Sequence, residues 1–334
     1  MSTTLTLRGL RASSTAFSRS SIFSQQRFYS EQKPDDKVIA KQGEKHVETI
    51  QSSTSDTTTL IHEKPRNNRI NPPASTLPPP LVLPEKEEGA SSIKHMIKTG
   101  KTYGKFYWTG VKAVYKNLQL VHEPQKLVDL EYKGAVYEAV KDRRLSRADY
   151  QLLLRNWHDV KRIPLFGLVV LACGEFTPFV VPFIGGVVPY TCRIPSQIEG
   201  ERRKLEERRK ISFRNLTTKY EKEKELDRQQ LLHITWSLGL SGRVWDYIGG
   251  KLPGLPDFIL RSKVAKRVEY IETDDRLLRR DGRVEDLDVE EVKMACEDRG
   301  IDILNRDDEE LREHLQLWLN ISKKEGVTKM FLTR

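Results

Sequence analysis

The chain has 334 residues, of which 31% are charged and 37% hydrophobic, and it carries a formal net charge of +10. That leaves room for a membrane module and one helical domain, and the charge sits in separate blocks, so the local runs say more about partners than the total does. Three widely spaced cysteines, Cys173, Cys192 and Cys296, form neither a disulfide framework nor a zinc site.

Between Met1 and Gln26 the chain carries Arg8, Arg11 and Arg19 among serines and threonines, with no acidic residue before Glu31 and no secretory apolar core. This is the composition of a mitochondrial import segment, assigned to residues 1–30, and Arg27-Phe28-Tyr29-Ser30 resembles a matrix-peptidase cleavage context. A generic basic tail is the alternative. Residues 31–90 are polar, and Pro72, Pro73, Pro78, Pro79, Pro80 and Pro84 predict a disordered or polyproline-like linker.

Residues 91–162 predict a basic amphipathic helical region. Lys94, Lys98, Lys101, Lys105, Lys112 and Lys116 recur beside Tyr103, Phe106, Tyr107, Trp108 and Tyr115, which suits anionic lipid headgroups. A solvated helix that packs its aromatics on the rest of the domain is the alternative. Ser146 and Asp149 read as an N-cap pair, and Tyr150, Leu153, Leu154 and Trp157 as the apolar side of the helix that runs into Pro164.

Residues 163–190 hold one charged side chain, Glu175, together with Pro164, Pro178, Pro182, Pro189, Gly167, Gly174, Gly185 and Gly186. As a helix this stretch would reach ~42 Å, longer than a ~30 Å hydrocarbon core but too short for two spans, so it predicts a single kinked transmembrane helix. A buried core segment is the alternative. Combined with the import segment, it implies the inner membrane. A carboxylate at mid-bilayer costs ~2.5 to 3.5 kcal/mol on insertion scales, which makes Glu175 a candidate functional residue unless it is protonated or helix-paired. Arg143, Arg144, Arg147, Arg155, Lys161 and Arg162 precede the stretch and basic residues also follow it, so charge bias does not fix orientation.

The remainder, residues 191–326, reads as all-helical, with a short tail at 327–334. Pro195-Ser196 with Glu199 marks a capped start before the run Arg202, Arg203, Lys204, Arg208, Arg209 and Lys210. That run, and the set Arg261, Lys263, Lys266 and Arg267, are candidates for contact with anionic lipid or RNA phosphates; a solvated helix face is the alternative. Gln229–Leu238 predicts a short helix. Pro256 opens a longer one carrying Ile259, Val264, Val268, Ile271, Leu277 and Leu278 that ends near Gly282. A helix pair follows: Val289, Val292 and Cys296 line the first, Gly300 closes it, and Asp307 with Glu310 caps a second bearing Leu311, Leu315, Trp318 and Leu319.

The run Asp274-Asp275-Arg276-Leu277-Leu278, then Gly282, Leu287, Ala295-Cys296, Arg299-Gly300, Leu311, Leu315 and Trp318-Leu319, resembles the ribosome-binding domain of the leucine-zipper/EF-hand transmembrane (LETM) family. The likeness continues upstream through Tyr107-Trp108, Gly110, Leu145-Ser146-Arg147 and Ile163-Pro164. It implies an all-α protein, a transmembrane helix followed by a 14-3-3-like helical domain that faces the matrix and meets mitochondrial ribosomes, with Asp274, Asp275, Gly282, Arg299, Gly300 and Trp318 as its structural motif residues. Family members are linked to insertion of newly made proteins into the inner membrane and to potassium/proton or calcium/proton exchange. Two features differ from the longer members: no EF-hand calcium loop is evident, and no sustained heptad repeat follows the domain.

Enzyme motifs are absent from the sequence. Gly100-Lys101-Thr102 has the end of a phosphate loop, but His95 stands where the earlier glycine is needed. The seven histidines show no ligand spacing, so neither a metal nor a cofactor is expected. Two functions are left: ribosome docking by the helical domain beside anionic lipid, or cation/proton exchange at Glu175. Exchange would require a homo-oligomer, because a single span encloses no pathway. DNA binding by the helix pair is excluded on charge, since Asp281 to Asn320 holds 14 acidic against 5 basic residues.

Overall fold

The computed structural model describes residues 67–85, 92–174, 180–181, 186–217, 220–221, 225–241 and 255–333. The import segment, most of the linker, Glu175, Pro178 and Gly185 lie outside these residues. All of the described residues belong to one contact unit, Lys64–Gly249 with Pro253–Arg334. They are mostly helical, with no strand among them. In chain order the helices are α1 (Ser92–Tyr132), α2 (Val136–Lys141), α3 (Arg147–Val160), α4 (Ile163–Cys173), α5 (Pro195–Asn215), α6 (Arg228–Ser237), α7 (Asp257–Asp281), α8 (Val289–Asp298), α9 (Asp308–Glu325) and α10 (Val327–Leu332).

Local side-chain chemistry sets the boundaries. Ser146 and Asp149 cap each other's backbone at the start of α3, with Asp149 N donating to Ser146 Oγ at 3.2 Å and Ser146 N to the Asp149 carboxylate at 3.0 Å. Asp227 and Gln230 do the same for α6, and Asp307 accepts from Glu310 N at 2.8 Å to open α9. Each such cap satisfies donors that a helix start leaves unpaired. Gly300, at φ +78°, closes α8 in a conformation that suits glycine. The start of α5 differs from expectation. Pro195 takes its first position and Gln197, rather than Ser196 or Glu199, reaches back to accept from Ile194 N at 3.2 Å.

Three apolar clusters hold these helices. The largest joins α6, α7, α8, α9 and α10 through Leu231, Ile234, Ile271, Leu278, Val292, Leu311, Leu315, Trp318 and Phe331. A second packs α1, α2 and α3 around Val128, Val140, Leu145 and Leu153 and reaches Leu277 of α7. The third sets Phe106 and Tyr107 of α1 against Phe166 of α4, together with Val181, Val188, Cys192 and Ile194. Gly110 makes this last contact possible, because a Cβ there would lie 2.6 Å from the Thr191 carbonyl oxygen and 2.7 Å from Cys192 Sγ.

Several expectations are corrected here. Residues 67–77 of the proline-rich stretch are a packed strap rather than free linker: Ile70 is fully buried in the largest cluster. Asn71 donates to Asp286 O at 2.7 Å and accepts from Asp288 N at 2.9 Å, and Asn117 donates to Ser75 O at 3.0 Å. Residues 327–332 of the tail form α10, whose Phe331 ring meets Trp318 at 5.8 Å between centroids. Phe106 and Tyr107 are buried, so only part of the α1 aromatic set is free to meet lipid, and Trp157 and Val289 face outward instead of joining an apolar side.

The single kinked helix expected over residues 163–190 is also not what the described residues form. α4 has 11 residues, about 16 Å of helix. It stops at Gly174, whose φ of +52° departs from the helical region. Residues 190–192 are a short 3₁₀ turn. Among the described residues no helix is long and apolar enough to cross a membrane.

Candidate functional site

Asp274 and Asp275 sit next to each other on α7 and therefore point about 100° apart around it, toward different neighbours. Asp274 receives Arg147 Nε of α3 at 2.9 Å, Arg299 Nη2 from the end of α8 at 2.8 Å and Gln151 Nε2 at 2.8 Å. Asp275 accepts from Arg299 Nη2 at 2.6 Å, Ser322 Oγ at 2.7 Å and Trp318 Nε1 at 3.3 Å, the last two from α9. One carboxylate pair thus ties four helices together. The arrangement extends outward: Arg147 also donates to Ile70 O of the strap at 2.8 Å, its backbone N–H donates to Asp281 at 2.7 Å, and Glu291 of α8 is gripped by both Nη atoms of Arg155 at 2.6 and 2.9 Å.

These groups are buried, which makes their pairing decisive. Arg147 is 1% exposed and Arg299 2%, and a lone charge at such a depth would carry a desolvation penalty of several kcal/mol. Burial alone would raise the Asp274 carboxyl, yet Arg147 and Arg299 hold it well below the usual carboxylate range. Glu291 follows the same pattern, its burial outweighed by Arg155. Burial would likewise lower the Arg299 guanidinium, and Asp274 with Asp275 raise it instead. Every carboxylate named here already accepts from an internal donor, so the network is a lock between helices rather than a reactive centre.

Of the motif residues singled out by sequence, Asp274, Asp275, Arg299 and Trp318 therefore meet in one place. The two glycines flank it. A Cβ on Gly282 would lie 3.0 Å from Ile70 Cδ1 and 3.1 Å from Asn67 Nδ2, so its missing side chain makes room for the strap. A Cβ on Gly300 would lie 3.3 Å from Leu238 Cδ2. Sequence reading did not identify Arg147, Arg155 and Glu291 as network members. A signal was present, since Arg147, Gln151 and Arg155 recur every four residues on one face of α3, a polar stripe where a surface helix would alternate signs.

The basic candidates divide. Arg202 turns inward to Glu290 at 2.6 Å and Glu297 at 3.1 Å, and Arg209 is buried against Glu206. Both are corrected to internal roles. Arg267 pairs with Asp298 at 3.0 Å, Arg261 with Glu225 at 3.0 Å, and Lys263 donates to Leu240 O at 2.9 Å. Arg203, Lys204, Lys210 and Lys266 are exposed, and Arg208 is half-buried. The lysines of α1 form a cleaner surface. Lys94, Lys98, Lys101, Lys105, Lys112 and Lys116 are all exposed, no acidic residue occurs from Ser92 to His122, and their spacing places them opposite the seam of Phe106, Val114 and Val121 that α1 buries.

A polar cavity of about 120 Å³ is lined by Tyr190, Arg193, Glu201, Met294, Glu297 and Asp298. Its carboxylates are paired with Arg193, Arg202 and Arg267. Among the described residues no group of three or more histidine, cysteine or acidic side chains is placed to hold a metal ion. Glu175, the candidate for ion exchange, lies outside the described residues.

Residues 251–333 match the family model described as LETM1-like, RBD, a span that takes in α7 to α10 and the Asp274, Asp275, Arg299 and Trp318 lock. No curated protein and no solved structure matches the chain.

Proposed function

Because residues 251–333 are a LETM1-like RBD domain, we propose that the chain docks mitochondrial ribosomes and holds them beside the inner membrane, with this domain on the matrix side, in support of the insertion or assembly of newly made membrane proteins. The match over α7 to α10 is the observation that carries this reading. Docking needs a rigid surface and no reactive group. The lock of Asp274, Asp275, Arg147, Arg299 and Ser322 supports that requirement, since it fixes α3, α7, α8 and α9 against one another through charge-assisted bonds of 2.6 to 2.9 Å.

Two kinds of surface support contact with a ribonucleoprotein. The α1 lysine face and the exposed Arg203, Lys204 and Lys210 of α5 offer cations to RNA phosphates. Glu309 and Glu313 on α9 belong to the acidic stretch and suit basic ribosomal proteins. The arginine-bearing, acid-free start of the chain supports import into mitochondria. The detergent-solubilised full chain is expected to co-sediment with mitochondrial ribosomes at low salt and to be released as salt rises. Lys101→Glu, Lys105→Glu, Lys204→Glu and Lys210→Glu together should weaken the association at least tenfold without lowering the melting temperature. Failure to co-sediment at low salt would remove the reading.

A further inference from the structure

We propose that α4 lays its outer face in the near leaflet of the bilayer without crossing it, so that the helices before and after it share one side of the membrane. The proposal rests on the membrane part of the reading above and concerns how that contact is made. A segment that crosses a bilayer once leaves its flanks on opposite faces of a ~30 Å hydrocarbon core. Here the flanks touch. Arg147 of α3 lies 2.9 Å from Asp274 of α7, Arg155 of α3 lies 2.6 Å from Glu291 of α8, and Asp159, at the end of α3, accepts from Tyr190 N at 2.7 Å. These bonds close only if both flanks are in the same compartment.

Chain length gives a second, independent bound. Phe166 of α4 and Val181 belong to the same buried cluster, with Val181 0% exposed. Six residues separate Gly174 from Val181. The seven steps from Gly174 to Val181, at ~3.5 Å each, reach about 25 Å fully extended, too little to traverse the hydrocarbon core and return.

The α4 helix has the faces that a one-leaflet contact requires. Phe166 is buried on the protein side, while Leu165, Leu168 and Leu171, three residues apart, are 51, 62 and 82% exposed. Its length of about 16 Å is roughly half of a hydrocarbon core. Just before it, Trp157 is 64% exposed and Lys161 Nζ lies 3.1 Å from the centre of its ring. A tryptophan with a lysine at the edge of an apolar face matches the headgroup level, where an indole is half wetted and an ammonium reaches phosphate.

The test uses the full chain with Cys173→Ser, carrying either Lys126→Cys on α1 or Lys323→Cys on α9, in mitochondria with an opened outer membrane and a membrane-impermeant maleimide. Cys192 and Cys296 are buried. Both reporters should stay unlabelled until detergent is added. Labelling of Lys126→Cys alone would overturn one-sided entry and leave the membrane reading standing, whereas equal labelling without detergent would keep one-sided entry and overturn only the matrix placement. Leu168→Glu with Leu171→Glu should move the protein from the membrane pellet to the supernatant at least tenfold, with an unchanged melting curve. Retention in the pellet would overturn the role of α4. Wild-type protein in the supernatant would remove the membrane reading itself.

Discussion

Two regions of this protein invert the usual placement of side chains in opposite ways. Where α3, α7, α8 and α9 meet, two arginines and several carboxylates are sealed from water; around α4, leucines are left uncovered by the described residues. The first region is stable because each charge finds a partner within 3 Å, at fixed geometry, and the protein itself supplies what solvent would have supplied. Among the described residues the second has no partner for its outer face. Burial therefore follows from whether a residue's requirements are met by its neighbours, and residue type alone predicts neither case.

The comparison can be broken most forcefully at Arg299. Arg299→Ala would leave Asp274 with Arg147 and Gln151 only, and Asp275 with no cation beside it but the half-exposed Arg279. A loss of ~3 to 5 kcal/mol is expected, the usual cost of removing one member of a buried ion pair. Chemical denaturation of the detergent-solubilised chain measures it, and a change below 1 kcal/mol would mean that water replaces the guanidinium.

A smaller effect is expected in the apolar cluster from Gly110→Ala. The added methyl would meet the Thr191 carbonyl and Cys192 Sγ at distances that real Cβ atoms do not show, so α1 and the turn at 190–192 must part. Overpacking of this kind costs ~1 to 3 kcal/mol. The loss should be accompanied by faster thiol labelling of Cys192, whose burial pushes its thiol up to about 12 and protects it in the wild type. Unchanged labelling would show that the turn yields without opening.

Acid should separate the two regions with the gentlest perturbation. Asp274 is held below its unfolded value of ~3.9, so its contribution to stability is complete above that pH and is lost as pH falls toward the depressed folded value. The urea midpoint should therefore drop below about pH 4, and Asp274→Asn should flatten that dependence while lowering stability at pH 7. An equal slope in the variant would assign the acid sensitivity to other carboxylates.

The legible parts of this structure were those decided locally. The caps at Ser146 and Asp307, the end of α7 near Gly282 and the closure of α8 at Gly300 follow from chemistry within four residues, and sequence reading finds them. So do the apolar stripes of α7 and α9. Partners far along the chain were not legible. Arg202 and Arg209 belong to a run that reads as a solvated basic face, and only the arrival of Glu297 and the turn of Glu206 toward the interior bring them in. The proline-rich segment reads as linker because nothing nearby shows that Ile70 has a socket beside Gly282, far down the chain. Within the candidate site, sequence named as motif residues four of those that meet; Arg147 stood in the upstream likeness, with no sign that it joins them to the strap.

That strap affects how the chain must be assembled. Asn71 bonds to the backbone at Asp286 across 215 positions of sequence, a separation at which loop closure is slow and comes after local helix formation. The segment matching the family begins at residue 251, yet Asn67 and Ile70 of the strap pack against it. A ribosome or an import channel delivering this chain from its N-terminus would release the strap first, and it would wait without a binding site until α7 and α8 had followed. During that interval Ile70 and the Asn71 amide are open to any helper that recognises a short, extended, amide-bearing segment, and amide hydrogen exchange at 67–77 should reveal this as the first part of the fold to open and the last to close.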